Sequence, residues 1–572
     1  MNVLPMLVLG LCCAGDPEPM LAGMRRSPWF GEQVREEWLE GDVRVLLNAP
    51  RAMDPRERTR LIIYATPNGN TIEQTLGCAK VDGLDWHFDI QHVAAQVRRL
   101  REVLPKEEIV IACVEADGLS WPAWRKTHQD ASARIIRILT TIRDRFAATE
   151  AKVILCGHSE GGSFIFGLLD AADAIPGYVE RIAFLDANYA YADAFRHGDK
   201  LLTWLKGGDE RRLVVLAYDD REVMLDGKRV VGPDGGTFRA TQRMLARFKE
   251  DGPLTESTAG EFVIHTGIDG RAVFHVHSNP KTRILHTALV GEMNGLLHAI
   301  TTGDHKAPDW GTLGGPQAYL KWVQPAPVIP PRPVDAPGGV EVMKKVAGLS
   351  PSAREEVFAA EVLRGNVPDF LRKFHTVTVR AKDRAGREHE AAYEVMPDYL
   401  AIGSDGDFVR VPLTPATAQR VADAFGCTLP TRTLVDQVFA SASLRLEPIP
   451  LTEKREAADT FARHNDLIQK QLDAKGPAGL VAGQKKDVVI SNRLGEKSNR
   501  VAIYGWHKTD GTPIQPLTIV HKDTYVDYSH GIRLIKRGIV VDGKVRDVRH
   551  VLHSTDLHGL LSDEGPISHA TY

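Results

Sequence analysis

Residues 153–167 read VILCGHSEGGSFIFG. An apolar, strand-prone run ends at Gly157, places Ser159 at the break and resumes with a helical pattern beyond Gly161 and Gly162. Packing alone rarely asks for three glycines around one serine, because glycine inside regular structure is entropically costly. The stretch therefore predicts a strand, a sharp turn at Ser159 and a helix.

Such a turn pushes the serine hydroxyl out at the carboxyl edge of a sheet and demands small neighbours two residues before and after it, where Gly157 and Gly161 stand. The following helix aims its free N–H groups and positive dipole end at developing negative charge. The elements on either side fit. Strands are expected at 42–47, 61–65, 109–116, 152–157, 181–186 and 212–220, and around 261–266 and 272–277. Helices are expected at 92–104, at 131–146, after Gly161 and at 288–300. That alternation predicts a mostly parallel sheet with helices on both faces.

On GHSEG within this strand-turn-helix context, residues 40–323 resemble the α/β-hydrolase superfamily. The resemblance implies a Ser, acid, His triad in that chain order, with Ser159 as nucleophile. It favours Asp219 or Asp220, after RLVVLAYDD, as the acid; Asp186, after RIAFLD, is the alternative. It favours His286, ahead of the last helix, as base, with His298, His275 and His277 as alternatives. The chemistry agrees, since a serine hydroxyl needs an imidazole to take its proton and a carboxylate to orient that imidazole. Oxyanion donors are expected from the amide of Glu160 and from the turn Asn68, Gly69, Asn70 after LIIYA. The reading is a serine hydrolase acting on an ester, less readily an amide, of a small-molecule or polymer acyl substrate, without a cofactor.

Two other groupings compete. DWHFDIQH sets His87, Asp89 and His92 at a zinc-like spacing, but a fourth ligand is not evident and Asp89 also suits a helix cap. The C-terminal half gathers His507, His521, Asp523, Asp527, His530 and Arg533 among Trp506, Tyr525 and Tyr528. This cluster admits a metal-dependent hydrolase site, or a cell-wall or glycan-binding module that delivers an esterase. SHGIR is similar to part of the peptidoglycan L,D-transpeptidase motif, but the cysteine that motif requires is missing and that reading is rejected.

The chain has 572 residues, more than one hydrophobic core accommodates. QPAPVIPPRPVDAPGG, 324–339, carries six prolines and reads as a linker between the α/β half and an α+β half, 340–572. Lys plus Arg (71) nearly balance Asp plus Glu (74), which argues against nucleic acid as a partner. No stretch is long enough to span a membrane. The opening MNVLPMLVLGLCCAG reads as an export signal cut after Ala14, which implies a secreted or periplasmic protein; otherwise the run is a buried strand or a misassigned start and the protein is cytoplasmic.

Overall fold

The computed structural model describes residues 20–572 except 55, 85–89, 147–150, 172–173, 305–309 and 477–478. The N-terminal run read as an export signal, and His87 and Asp89, lie outside the described residues. The chain divides into two compact units, Met1–Pro325 and Ala326–Tyr572.

The first unit is built on an eleven-stranded sheet. Its strands are β1 (Gln33–Leu39), β2 (Val43–Ala49), β3 (Arg58–Ala65), β4 (Glu107–Ala116), β5 (Lys152–His158), β6 (Val179–Leu185), β7 (Arg212–Tyr218), β8 (Thr255–Ala259), β9 (Phe262–Gly267) and β10 (Ala272–His277). A two-residue strand, Arg25–Arg26, edges β1. The spatial order is β1-β2-β4-β3-β5-β6-β7-β10-β9-β8. The strands from β4 to β10 in that order are parallel, and antiparallel pairs extend both edges.

Side-chain parity along the central strands explains the two layers of helices. Leu61, Ile63, Val153, Leu155, Ile182 and Phe184 enter one core, while Ile62, Tyr64, Ile154, Cys156, Ala183 and Leu185 enter the other. Successive strand residues point to opposite faces, so a run apolar at every position must be covered on both. Helices α1 (Val93–Val103) and α2 (Ala131–Asp144) supply those covers on opposite faces. Helix α3 (Gly162–Ala171) follows β5, α4 (Thr237–Asp251) follows β7 and α5 (Gly295–Thr301) closes the unit.

The stretch 288–300, expected as one helix, breaks at Asn294, which sits at φ +59°. Its Nδ2 donates to the carbonyls of Thr312 (3.1 Å) and Pro316 (3.0 Å), and its Oδ1 accepts from the Ala318 amide (2.9 Å). Those bonds fix a left-handed turn that asparagine tolerates better than most residues.

The second unit is α+β. Strands β11 (His375–Lys382) and β12 (Glu388–Val395) form the expected hairpin. A separate four-stranded sheet holds β13 (Lys486–Val488), β14 (Ile503–His507), β15 (Pro513–Thr518) and β16 (His530–Gly531) in the order β15-β14-β13-β16. The proline-rich stretch packs as part of this unit. Arg332 Nε donates to Asn366 Oδ1 and to the Gly403 carbonyl, each at 3.1 Å, and Arg372 donates to the Pro330 carbonyl at 2.8 Å. Among the described residues no helix is long and apolar enough to cross a membrane.

Candidate active site

Strand β5 runs to His158, and Ser159 turns at φ +53° into the helical turn that feeds α3. Few residues other than glycine hold that conformation without strain. The turn closes because its glycines permit contacts that any side chain would block. A Cβ on Gly161 would lie 2.2 Å from the Ala65 carbonyl oxygen, and one on Gly157 would lie 2.8 Å from the Gly161 backbone. The GxSxG spacing is thus a packing requirement of the turn at the end of β3 against the elbow.

On the neighbouring strand end, Asp186 also takes a left-handed conformation, at φ +47°, while its amide continues the ladder to the Leu216 carbonyl at 2.8 Å. Its buried carboxylate is fully engaged. Oδ2 accepts from His286 Nδ1 at 2.5 Å, and Oδ1 accepts from the Thr237 hydroxyl. With the Nδ1 proton committed to Asp186, His286 Nε2 is left as the lone-pair nitrogen, the tautomer a general base needs. Among the described residues Ser159 Oγ makes no hydrogen bond to His286; in ligand-free sites such bonds are commonly long and tighten with substrate.

His158 links the elbow to the base. It is fully buried, its Nε2–H donates to the His286 carbonyl at 2.9 Å, and its ring lies 4.5 Å from that of His286. Burial pushes its basicity well down, and the neighbouring His286 adds to this, so the ring is neutral. Tyr189, three residues beyond Asp186, faces Ser159 with its hydroxyl; burial first, then the Glu160 carboxylate, keep that hydroxyl protonated. The sequence reading missed both residues. His158 was visible as the residue preceding the serine, but Tyr189 is brought in only by the turn after β6.

The remaining expected residues divide. Asp219 does not reach His286; Arg221 Nη2 donates to it at 2.6 Å and Arg221 Nε at 2.8 Å. Asp220 is buried and accepts from the Thr237 amide at 2.9 Å, which makes it the cap at the N-terminus of α4. Burial and then the nearby Asp186 raise its pKa to about 6. His286 is therefore paired with Asp186 and with neither Asp219 nor Asp220. His275, His277 and His298 are engaged elsewhere, with Thr302, Glu261 and the Gly311 carbonyl.

In the turn after β3, Gly69 N–H already donates to the Leu119 carbonyl (2.9 Å) and Asn70 N–H to the Pro67 carbonyl (3.4 Å). These two of the expected oxyanion donors are spent within the loop, while Asn68 makes no such bond among the described residues. The Glu160 carboxylate is held aside by the Ser120 hydroxyl at 2.9 Å.

The first unit has the α/β-hydrolase fold. The strand order, the mostly parallel sheet covered on both faces and the elbow after the central strand decide it. Solved structures similar to part of this chain include a thermostable esterase, 11% identical, matching 47% of this chain and 62% of that one with a TM-score of 0.30. The siderophore hydrolase EstB from Aspergillus nidulans is 11% identical over 49% of this chain and 97% of its own, with a TM-score of 0.28. An S-formylglutathione hydrolase from Agrobacterium tumefaciens is 11% identical over 49% and 99%, with a TM-score of 0.28. Likenesses of that degree fix neither activity nor substrate. No protein-family model and no curated protein matches the sequence.

The competing groupings fare differently. Among the described residues no three His, Cys, Asp or Glu side chains are placed to hold a metal ion, so the metal reading of the C-terminal cluster is without support. His507 pairs with Asp436 at 2.9 Å, and Arg533 donates to the carbonyls of Met396 (3.0 Å) and Val481 (2.8 Å). His92 occupies the N-cap position of α1.

Proposed function

We propose that the first unit is a serine hydrolase that cleaves an ester through Ser159, with His286 as base and then acid and Asp186 orienting it. One observation carries the reading: buried Asp186, at the end of β6, pairs at 2.5 Å with His286 from the loop that follows β10, near a serine held at φ +53°. Ser159 Oγ attacks the acyl carbon as His286 Nε2 takes its proton. The oxyanion that forms is met by the amide of Glu160 at the head of the helix, with the Tyr189 hydroxyl as second donor. His286 returns the proton to the departing alkoxide, and the acyl-enzyme is cleared by a water that the same imidazole activates. Asp186 keeps its hydrogen bond to His286 Nδ1 throughout, and Thr237 holds its second oxygen in place.

Asp219 and Asp220 take no part in this scheme; they serve an Arg221 ion pair and the start of α4. The test is labelling with a fluorophosphonate, which reacts with an activated serine. Wild-type protein should label at one site, and Ser159→Ala should abolish it. A folded wild type that resists labelling, or a Ser159→Ala variant that still labels, overturns the assignment.

A further inference from the structure

The four-stranded sheet of the second unit gathers buried polar groups that its fold does not use. Lys486 and His530 are register partners on the parallel strands β13 and β16, so both side chains leave the same face. Lys486 is 7% exposed, and its ammonium donates to no acceptor among the described residues. It lies 5.1 Å over the ring of Trp506, whose own backbone is held at φ +56° and whose indole N–H donates to the Gln484 carbonyl at 3.1 Å. A bulky residue in that conformation is an outlier of the kind found at functional sites. His530 is 1% exposed, and neither ring nitrogen has a hydrogen-bond partner. An unpaired buried polar group forfeits its hydration without compensation, so two nitrogens on one ring mark a place awaiting a partner.

The neighbouring carboxylate cannot be that partner. Asp527 Oδ1 accepts from the Ser529 amide (2.8 Å) and hydroxyl (2.5 Å), and Oδ2 accepts from Arg455 (2.5 Å) and the Tyr525 hydroxyl (3.0 Å). What remains is a surplus of donors. The way in is marked by the half-exposed Tyr525, stacked on His521 at 4.3 Å and set edge-on to His530 at 5.8 Å.

We propose that Lys486 and His530 form an anion site that takes a small monocarboxylate. The charge count selects the class. Asp527 is paired with Arg455, the Lys485 ammonium donates to the Tyr528 carbonyl at 2.6 Å, and burial lowers His530 to about 4, leaving it neutral at pH 7, so among these groups Lys486 offers the one cation without an acceptor. One positive charge beside a neutral imidazole donor matches a carboxylate, whose two oxygens accept from Lys486 Nζ and one His530 N–H. A dianion would be left undercompensated.

The experiment uses the full chain at pH 7.5 and constant ionic strength, titrated with sodium acetate or sodium phosphate and read by calorimetry and melting temperature. Acetate should bind and raise the melting temperature of wild type, Ser159→Ala and Lys522→Met, the last removing an exposed lysine outside the site. Lys486→Met should weaken acetate at least tenfold. As a check that needs no variant, acetate should slow reductive methylation of Lys486, followed by mass spectrometry, and leave Lys522 unchanged. Equal acetate binding by Lys486→Met, or no acetate binding together with no protection of Lys486, overturns the site. Phosphate binding tighter than acetate overturns the ligand class.

Discussion

Asp186→Asn is the substitution on which the active-site reading turns. The asparagine Oδ1 still fits the Thr237 hydroxyl, so little packing changes, but the other oxygen becomes an amide that only donates. It would sit where Asp186 Oδ2 now lies, 2.5 Å from His286 Nδ1. The imidazole must then accept at Nδ1 and carry its proton on Nε2, which turns an N–H toward Ser159 and removes the base. In triads of this design that exchange costs about 10⁴ in turnover, or about 5.5 kcal/mol of transition-state stabilisation. Asp219→Asn and Asp220→Asn leave the tautomer alone and should stay within about tenfold of wild type. The assay is the second-order rate of fluorophosphonate labelling, alongside p-nitrophenyl acetate hydrolysis and a melting curve to show each variant is folded. A folded Asp186→Asn that keeps a tenth of wild-type reactivity, while Asp219→Asn or Asp220→Asn falls a thousandfold, would refute the assignment.

Three other outcomes follow from the same geometry. Gly161→Ala drives a methyl to within 2.2 Å of the Ala65 carbonyl oxygen, so it should lower stability by about 3 kcal/mol and abolish labelling; a normal melting curve with full labelling would show that the elbow is not packed this way. Tyr189→Phe should lower the rate of p-nitrophenyl acetate hydrolysis by about 10² if the hydroxyl meets the oxyanion, with KM little changed, and a loss confined to KM would place Tyr189 in substrate binding instead. Asp220 has its pKa raised from 3.8 to about 6, so the folded chain holds that proton more tightly than the unfolded one; its contribution is intact below about pH 4 and is lost as pH rises through 6. Asp220→Asn keeps the cap on Thr237 and should therefore melt higher than wild type at pH 8, by up to about 3 kcal/mol, with the difference vanishing at pH 4; a gap that is independent of pH would count against it.

The parallel core was legible because strands buried on both faces are apolar at nearly every position, as in VILC and RIAFLD. Strand β1 was not, since QVREEWL shows charges where the sheet buries them. Those charges are held by ion pairs: Glu36 with Arg44, fully buried on β2, at 2.8 Å, and Glu37 with Arg145, 108 residues further along the chain, at 2.8 Å. No local pattern announces a buried ion pair. Likewise motif and chain order single out Ser159 and His286 as candidates, whereas which of Asp186, Asp219 and Asp220 pairs with His286 depends on the strand end that His286 reaches. The turn at Asn294 and the bond from His158 to the His286 carbonyl belong to the surroundings that set this, and neither leaves a mark near residue 186.

Two of the left-handed residues of the first unit, Ser159 and Asp186, stand at the candidate site, and what surrounds them says how it is maintained. Ser159 and Asp186 both hold left-handed conformations, each costing on the order of 1–2 kcal/mol for a residue with a side chain. Both sit immediately after parallel strands whose ladders are complete up to the preceding residue, His158 on β5 and Leu185 on β6. The sheet therefore fixes where each turn begins, and the contacts beyond it fix how sharply it bends: the Gly161 backbone against Ala65 for the serine, Thr237 and His286 for the carboxylate. His158 then joins Ser159 and His286, since the same buried residue ends β5 and holds the His286 carbonyl. A displacement of the elbow is transmitted to His286 through one hydrogen bond. In the proposed scheme the nucleophile and its base are thus positioned by a common support, which would keep a strained serine and a half-exposed imidazole aligned across a site otherwise made of loops.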